Sequence, residues 1–162
     1  MKNYDRINAL PPKGIERKKA HIVGGGIAGF STAAFLIDDA HMPPENITIL
    51  GYSKGGMIAL SAAAWTQEPR MNFVILAGCG TDKRPEIRES QVSAAPRYKG
   101  RMLSIFDAAD PEFGSCQALF DAAGAGVRAS ERRIETGLGH QAFSRASAVW
   151  FDPTVEFVST GR

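Results

Sequence analysis

Two glycine-rich turns constrain this 162-residue chain more than any other feature, because each joins an apolar strand pattern to a helical pattern. The first turn, residues 24–29 (GGGIAG), follows the apolar run Ala20–Val23 and precedes a helical pattern over residues 27–38. The second, residues 51–55 (GYSKG), follows the strand pattern Asn46–Leu50. Short buried strands that alternate with helices predict an α/β protein with a parallel sheet.

The alternation continues to the end of the chain. The patterns predict a helix from Gly55 to Trp65, helices at about 114–123 and 145–159 (the last bent or restarted at Pro153), and a surface excursion over 80–100. Further strands are predicted at Asn72–Leu76, Arg101–Phe106 and near Arg132–Glu135. We predict a three-layer α/β fold with about five mostly parallel strands, resembling a truncated α/β-hydrolase. Residues 19–162 form one domain, with a Rossmann-like start over 19–50, after a flexible arm over residues 1–18.

Composition narrows the classes of function. A net charge of +2 with scattered basic residues gives no nucleic-acid footprint. No apolar run reaches the ~20 residues of a membrane span, and no residues show metal-ligand spacing. Cys79 and Cys116 are isolated in sequence, which favours a reducing compartment over a disulfide. The N-terminus has no apolar signal core, so we expect a cytoplasmic protein.

The first turn has the Gly-x-Gly-x-x-Gly spacing that lets a backbone approach a pyrophosphate at a helix N-terminus. Residues 1–50, chiefly RKKAHIVGGGIAGFSTAAFLIDDAHMPPENITIL, resemble the N-terminal segment of the oleate hydratase (myosin-cross-reactive antigen) family of flavoproteins. The resemblance implies FAD binding at Gly24, Gly26 and Gly29, and hydration of unsaturated fatty acids by the whole enzyme. An acidic residue is expected after the second strand to hold the ribose, and this chain has Gly51 there. The alternative is a tight turn that only packs a helix on the sheet.

The second turn has the Gly-x-Ser-x-Gly pattern of a nucleophile elbow, with Ser53 between a strand and a small-residue helix. Residues 51–162 resemble the C-terminal half of an α/β-hydrolase. Its chain order of serine, acid and histidine implies Ser53, then Asp110 rather than Asp107, then His140. The Trp150…Pro153…Phe157 pattern resembles the closing helix of that fold.

This resemblance implies a catalytic triad acting on a small ester or related acyl substrate. His140 would accept the proton of Ser53, Asp110 would fix the imidazole tautomer, and the backbone N–H of Lys54 would be one oxyanion donor. No cofactor is required for this reaction. We expect weak or absent activity, because residues 1–50 replace the N-terminal half of the hydrolase fold. The alternatives are an FAD-binding fragment of oleate hydratase type and a rearranged chain without catalysis.

The apparent fusion of the two families gives two further hypotheses. A right-handed crossover would place the first strand beside the second, so the turn Gly24-Gly25-Gly26 would lie near Ser53 and supply a second oxyanion donor. The same crossovers would place most helices on one face of the sheet. The other face would be covered by little beyond the final helix, which predicts self-association.

Overall fold

The computed structural model describes residues 13–24, 27–38 and 40–160, apart from the side chains of Ile27, Ala28 and Phe30. Strands and helices alternate along most of the chain, with short 3-10 turns between them. In chain order they are β1 (Ala20–Val23), α1 (Ile27–Asp38), β2 (Ile47–Tyr52), α2 (Lys54–Thr66), β3 (Asn72–Leu76), β4 (Cys79–Gly80), α3 (Pro85–Ala94), β5 (Gly100–Asp107), β6 (Phe113–Gly114), α4 (Gln117–Ala123), β7 (Val127–Ile134) and α5 (Ala148–Thr160).

Five strands form one sheet in the order β1-β2-β3-β5-β7, and every neighbouring pair is parallel. The small strands β4 and β6 pair antiparallel beside it. All five side chains of the central strand β3 (NFVIL) are buried, as expected for a parallel strand covered on both faces. The predicted α/β fold with a five-stranded parallel sheet is confirmed.

Side chains that alternate along the strands divide the core between the two faces of the sheet. Ile47 and Ile49 of β2 belong to the core cluster that includes residues of α1, α2 and α4. Leu50 and Tyr52 pack against the other cluster, which includes residues of α5 and of the 3-10 turn Gly139–Phe143. The predicted asymmetry of helices is therefore present. Val23 of the edge strand β1 is 78% exposed on the less covered side. Self-association through that side stays a prediction.

The segment 80–100 differs from its prediction as a surface excursion. It holds the helix α3, in which Gln91 is the one side chain classed as buried. A helix with so small a buried face shows little apolar periodicity, which is why the pattern was not visible in the sequence. For the last helix, the restart at Pro153 is wrong, because α5 runs through that residue, and the bend stays a prediction.

The cysteines also differ from their prediction, because Cys79 and Cys116 form a disulfide. Both are fully buried in the core cluster that contains α2 and α4. The expectation that the two cysteines are unpaired is therefore wrong, and the reducing compartment inferred from it loses that support. The cytoplasmic location stays a prediction. Every helix within the described residues is too short or too polar to cross a bilayer. Residues 1–12 of the predicted arm lie outside the described residues.

Candidate active site

The turn between β2 and α2 holds Ser53 in a backbone conformation that non-glycine residues rarely adopt. Its φ is 57° and its ψ is −121°. Two backbone hydrogen bonds hold the turn: the N–H of Ser53 donates to the carbonyl of Leu76 (2.8 Å), and its carbonyl accepts from the N–H of Met57 (3.1 Å). Strain of this kind persists only where the surroundings over-determine it, and it is frequent at functional sites.

The glycines around Ser53 are not equivalent. A Cβ on Gly51 would lie 2.0 Å from the carbonyl oxygen of Gly55, and a Cβ on Gly56 would lie 3.0 Å from the Cα of Gly78. A Cβ on Gly55 would meet nothing within 4 Å. Steric crowding therefore requires glycine at position 51 but not at position 55. The close packing of α2 on the sheet instead requires Gly56.

His140 lies on the turn that follows β7. Gly139 has a φ of +55°, and a Cβ on it would lie 3.1 Å from the carbonyl of Ala109, so the turn packs directly on the loop after β5. The hydroxyl of Tyr52 donates to the His140 carbonyl at 2.7 Å. The imidazole lies between two aromatic rings, those of Tyr52 (5.0 Å between centroids) and Phe113 (5.1 Å). Backbone and ring are thus both held in place.

The structure brings the three predicted side chains together. The Nε2 atom of His140 lies 2.8 Å from the Oγ of Ser53, and its Nδ1 atom lies 2.8 Å from the Oδ2 of Asp110. A carboxylate can only accept, so the tautomer that satisfies both contacts carries its proton on Nδ1. Nε2 is then the acceptor for the serine hydroxyl. This geometry permits proton transfer from Ser53 to His140.

Asp110 is oriented by its own loop. Its side chain is 1% exposed. The Oδ1 atom accepts the backbone N–H groups of Glu112 (2.9 Å) and Phe113 (3.1 Å), which leaves Oδ2 for His140. Backbone donors at one oxygen fix the plane of the carboxylate. The loop between β5 and β6 therefore determines the direction from which the imidazole is held.

Asp107 does not contact the imidazole. It links the loop that carries Asp110 to the segment before the turn that carries His140. Its carboxylate accepts from the hydroxyl and the N–H of Thr136 and from the N–H of Ala109 (2.8 Å). Burial acts to raise the pKa of Asp107, but the hydrogen bonds from Thr136, Ala109 and Gly139 outweigh it and lower the pKa. Asp107 thus stabilises the two segments that carry Asp110 and His140.

Sequence reasoning missed Asp107, Tyr52, Phe113 and Thr136 as supports of this site. Burial, followed by the nearby charge of Asp110, raises the pKa of Tyr52, so its hydroxyl remains a donor. The sequence did contain a signal for Tyr52 as a support of the site, because it directly precedes Ser53 and lies on the same face of the strand as Leu50. The contacts of Thr136 and Phe113 depend on loops whose approach no local pattern indicates.

A cavity of about 620 Å³ opens beside Ser53 and His140. Part of its wall is apolar, from Met57, Ile87 and Phe113. Its charged lining includes Arg84, which is paired with Glu86 and Glu112 at 2.9 Å each, and Lys54. The backbone N–H of Lys54 belongs to the first turn of α2, where N–H groups have no acceptor within the helix.

The first turn is described only in part. Gly24 has a φ of +99°, and its N–H donates to the carbonyl of Leu50 at 2.9 Å. A Cβ on Gly29 would lie 2.4 Å from the carbonyl oxygen of Gly24, so this glycine permits close approach of α1 to the turn. Gly25 and Gly26 lie outside the described residues. The second oxyanion donor predicted there, and the FAD contact predicted at Gly26, stay predictions.

Solved structures of α/β-hydrolases share the fold of this chain. One is dipeptidyl peptidase 4 of Porphyromonas gingivalis (TM-score 0.61, 12% identity, 86% of this chain and 23% of that chain). Another is acetyl xylan esterase 1 of Thermoanaerobacterium sp. JW/SL YS485 (0.58, 15%, 78% and 49%). A third is Arabidopsis thaliana SOBER1 (0.58, 18%, 82% and 62%). The resemblance of the fold to a hydrolase is confirmed.

The other predicted resemblance is confirmed by sequence. An oleate hydratase of Streptococcus pyogenes serotype M49 (strain NZ131) is 36% identical over 128 residues, which cover 72% of this chain. The match covers 20% of that protein, so the chain spans about a fifth of its length. The family model described as "MCRA family" matches residues 17–114, beyond the boundary at residue 50 that the sequence suggested. The chain therefore belongs to the MCRA family.

Proposed function

We propose that the protein is a serine hydrolase of the esterase type that cleaves a small acyl ester through Ser53, His140 and Asp110. One observation carries this proposal: the imidazole of His140 has the hydroxyl of Ser53 and the carboxylate of Asp110 at 2.8 Å, one on each nitrogen. The 620 Å³ cavity beside these groups has room for a small substrate. The strained turn at Ser53 supports the role of an elbow that presents the nucleophile.

In the proposed reaction, His140 takes the proton of Ser53 as its Oγ attacks the ester carbonyl. The imidazolium then gives this proton to the departing alcohol, and an acyl-enzyme remains on Ser53. Water attacks the acyl group in the same way, with His140 again as base, and releases the acid. Asp110 keeps the ring in the required tautomer and stabilises its charged form.

The oxyanion of the tetrahedral intermediate needs donors that face it. The N–H of Lys54 adjoins the nucleophile at the start of α2, and it is the donor that we propose. Removing a single donor from such a site costs roughly 3 kcal/mol in the transition state. If Lys54 acts without a second donor, turnover is expected to be slow but measurable. This expectation sets the sensitivity that the experiment needs.

The test is hydrolysis of p-nitrophenyl acetate by the wild type, Ser53→Ala and Ser93→Ala, together with labelling by a fluorophosphonate probe. Ser93 is an exposed serine on α3 and provides the matched control. We expect labelling and turnover in the wild type and in Ser93→Ala, and neither in Ser53→Ala. Equal turnover in all three proteins would contradict the proposal.

A second candidate, FAD binding, is favoured by membership of the MCRA family. Gly24 has open space where a Cβ would stand, and Gly29 lets α1 pack closely on the turn, as the glycines of a dinucleotide-binding turn do. The end of β2 does not complete such a site, because Gly51 and Tyr52 stand where a ribose carboxylate is expected. We therefore derive no reaction step through a flavin. Equilibrium dialysis against FAD tests this candidate, and retention of flavin that Gly29→Ala abolishes would support it.

A further inference from the structure

A small cavity lies where the strands begin, at the end of the sheet opposite to Ser53. Its volume is about 190 Å³. Asn72, the first residue of β3, and Arg101, the second residue of β5, both line it and are register partners in the sheet. Lys19, which precedes β1, and the last residues of α5 form another part of the wall. The cavity is thus separate from the candidate active site, and its role does not depend on Ser53.

The amide of Asn72 is only half satisfied by the protein. Asn72 is 3% exposed, and its Nδ2 atom donates to the carbonyls of Glu45 (2.9 Å) and Ile47 (3.1 Å). These two bonds fix the orientation of the amide. Its Oδ1 atom is buried and accepts no hydrogen bond from any group among the described residues. Because a buried oxygen without a donor is unfavourable, Oδ1 marks a place for a ligand that donates a hydrogen bond.

Arg101 has the complementary need for an acceptor. Its Nε–H group is buried and has no acceptor within the described part of the chain. The guanidinium also donates to the carbonyls of Glu45 and Arg70 at 3.4 and 3.5 Å, which are long hydrogen bonds. Burial, followed by the charge of Arg128 on β7, lowers the pKa of Arg101, and Glu45 offsets this only in part. The guanidinium is therefore a partly buried cation with little compensating charge.

The charges around the cavity favour an anion. Among the residues that line it, Lys19 and Arg101 are cations, whereas Glu45 is an anion that also pairs with Arg70 at 3.7 Å. Positive charge is therefore in excess at the wall. Two of the three N–H groups of the Lys19 ammonium donate to carbonyls at the end of α5, at 3.1 and 2.8 Å. The third is available in geometry for a ligand.

The ligand that suits these groups must carry negative charge, accept from Arg101 and donate to Asn72. Monohydrogen phosphate meets all three requirements, because it has one O–H group besides its unprotonated oxygens. Sulfate has the same charge and shape but no O–H group, so it would leave Oδ1 of Asn72 without a donor. Water could bridge Asn72 and Arg101, but it would bring no charge to balance the cations.

We infer that this cavity binds inorganic phosphate in its monohydrogen form through Lys19, Asn72 and Arg101. The phosphate O–H donates to Oδ1 of Asn72, and phosphate oxygens accept from the Nε–H of Arg101 and from the Lys19 ammonium. The guanidinium turns towards the cavity to make this contact, and its two long hydrogen bonds restrain that movement only weakly. The ligand then links the starts of three strands to the end of α5, so its binding stabilises the folded protein.

The test is isothermal titration calorimetry with phosphate, sulfate and methyl phosphate at matched ionic strength and mildly alkaline pH, where methyl phosphate has no O–H group. The proteins are the wild type, Arg101→Gln and Arg132→Gln. Arg132 is an exposed arginine of β7 outside the cavity lining and provides the matched control. We expect phosphate to bind the wild type and Arg132→Gln at least tenfold more tightly than the other two anions do. Its affinity for Arg101→Gln should be at least tenfold lower.

Two outcomes would overturn the inference. Equal affinity for all three anions would mean attraction by charge alone, and no binding of phosphate to the wild type would leave water as the ligand of Asn72. A second measurement needs only the wild type, so it does not depend on how Arg101→Gln folds. Both salts strengthen apolar burial in general, but phosphate should raise the thermal unfolding temperature more than sulfate does at equal concentration. Equal increases would contradict a phosphate site.

Discussion

The first strand–turn–helix unit (β1 and α1) and the second (β2 and α2) have similar glycine turns, but their surroundings differ. Both place glycine where a helix crowds a turn: Gly29 lies against the Gly24 carbonyl, and Gly51 lies against the Gly55 carbonyl. Only at the second unit do the described residues bring in side chains from elsewhere, since loops after β5 and β7 bring Asp110 and His140 to Ser53. A nucleotide site at the first unit would need an acidic residue at position 51, and this chain has glycine there.

This difference separates a local motif from a site. A glycine pattern indicates that two backbone segments lie close together, and it indicates this equally in both units. A reaction site also requires side chains from other loops. The topology brings them together, because the loops that follow parallel strands lie at one edge of the sheet. The second unit lies beside β3 and near the ends of β5 and β7, whereas the first belongs to the edge strand.

The largest expected effect comes from removing a partner of the second unit. Asp110→Asn should lower kcat for p-nitrophenyl acetate about 10⁴-fold, because the amide no longer holds the Nδ1–H tautomer of His140. Stopped-flow or endpoint assays at high enzyme concentration measure this loss. Asp107→Asn is the neighbouring control, and a smaller loss of rate is expected there. Equal losses would mean that the two carboxylates do not have separate roles.

Next is the steric requirement at the serine turn. Gly51→Ala should destabilise the protein by about 3 kcal/mol or more, because its Cβ would overlap the Gly55 carbonyl. Gly55→Ala should be neutral or stabilise by up to about 1 kcal/mol, since that Cβ meets open space in a helix. Urea unfolding of both variants measures the difference. Similar stabilities would show that the crowding is relieved by a shift of α2.

The same change at the first turn should have a smaller effect. Gly29→Ala is expected to cost about 2 kcal/mol, because its Cβ would lie 2.4 Å from the Gly24 carbonyl at the edge of the sheet. Turnover of p-nitrophenyl acetate per folded molecule should change little. A loss of turnover as large as that of Asp110→Asn would indicate that the first turn contributes to the ester site.

Acid should weaken the support that Asp107 gives to the second unit. A lowered folded-state pKa means that Asp107 stabilises the protein above the ordinary value of 3.8, and that this contribution is lost as the pH falls through the folded-state pKa. Asp107→Asn should remove about 1.5 kcal/mol at neutral pH. Its unfolding free energy should also depend less on pH below 3.8. Parallel pH profiles for the two proteins would contradict this account.

The smallest effect is expected from the hydrogen bond between Tyr52 and His140. Tyr52→Phe removes the donor to the His140 carbonyl but retains the ring beside the imidazole. We expect a loss of about 1 kcal/mol in stability and a fall in kcat of less than tenfold. Thermal unfolding and ester assays measure the two together. A fall of several hundredfold would assign Tyr52 a direct part in the reaction.

Most of the sheet could be predicted from sequence because its strands are short apolar runs with turns at their ends. Ser53, Asp110 and His140 could be proposed because a chain order links them to the ends of particular strands. The helix α3 could not be predicted, since its sequence PEIRESQVSA is mostly exposed. Asp107, Thr136 and the pairing of Cys79 with Cys116 depend on contacts between distant segments, which leave no periodic signal.

The bond between Cys79 and Cys116 closes a covalent ring around the chain segment that carries α3, β5 and the Asp110 loop. A protease that cuts once inside this ring, for example at an exposed arginine of α3, produces two fragments that stay linked by the disulfide. They would separate on a denaturing gel only after a thiol is added. Nicking there would also leave Ser53 and His140 on opposite sides of the cut yet joined through sulfur.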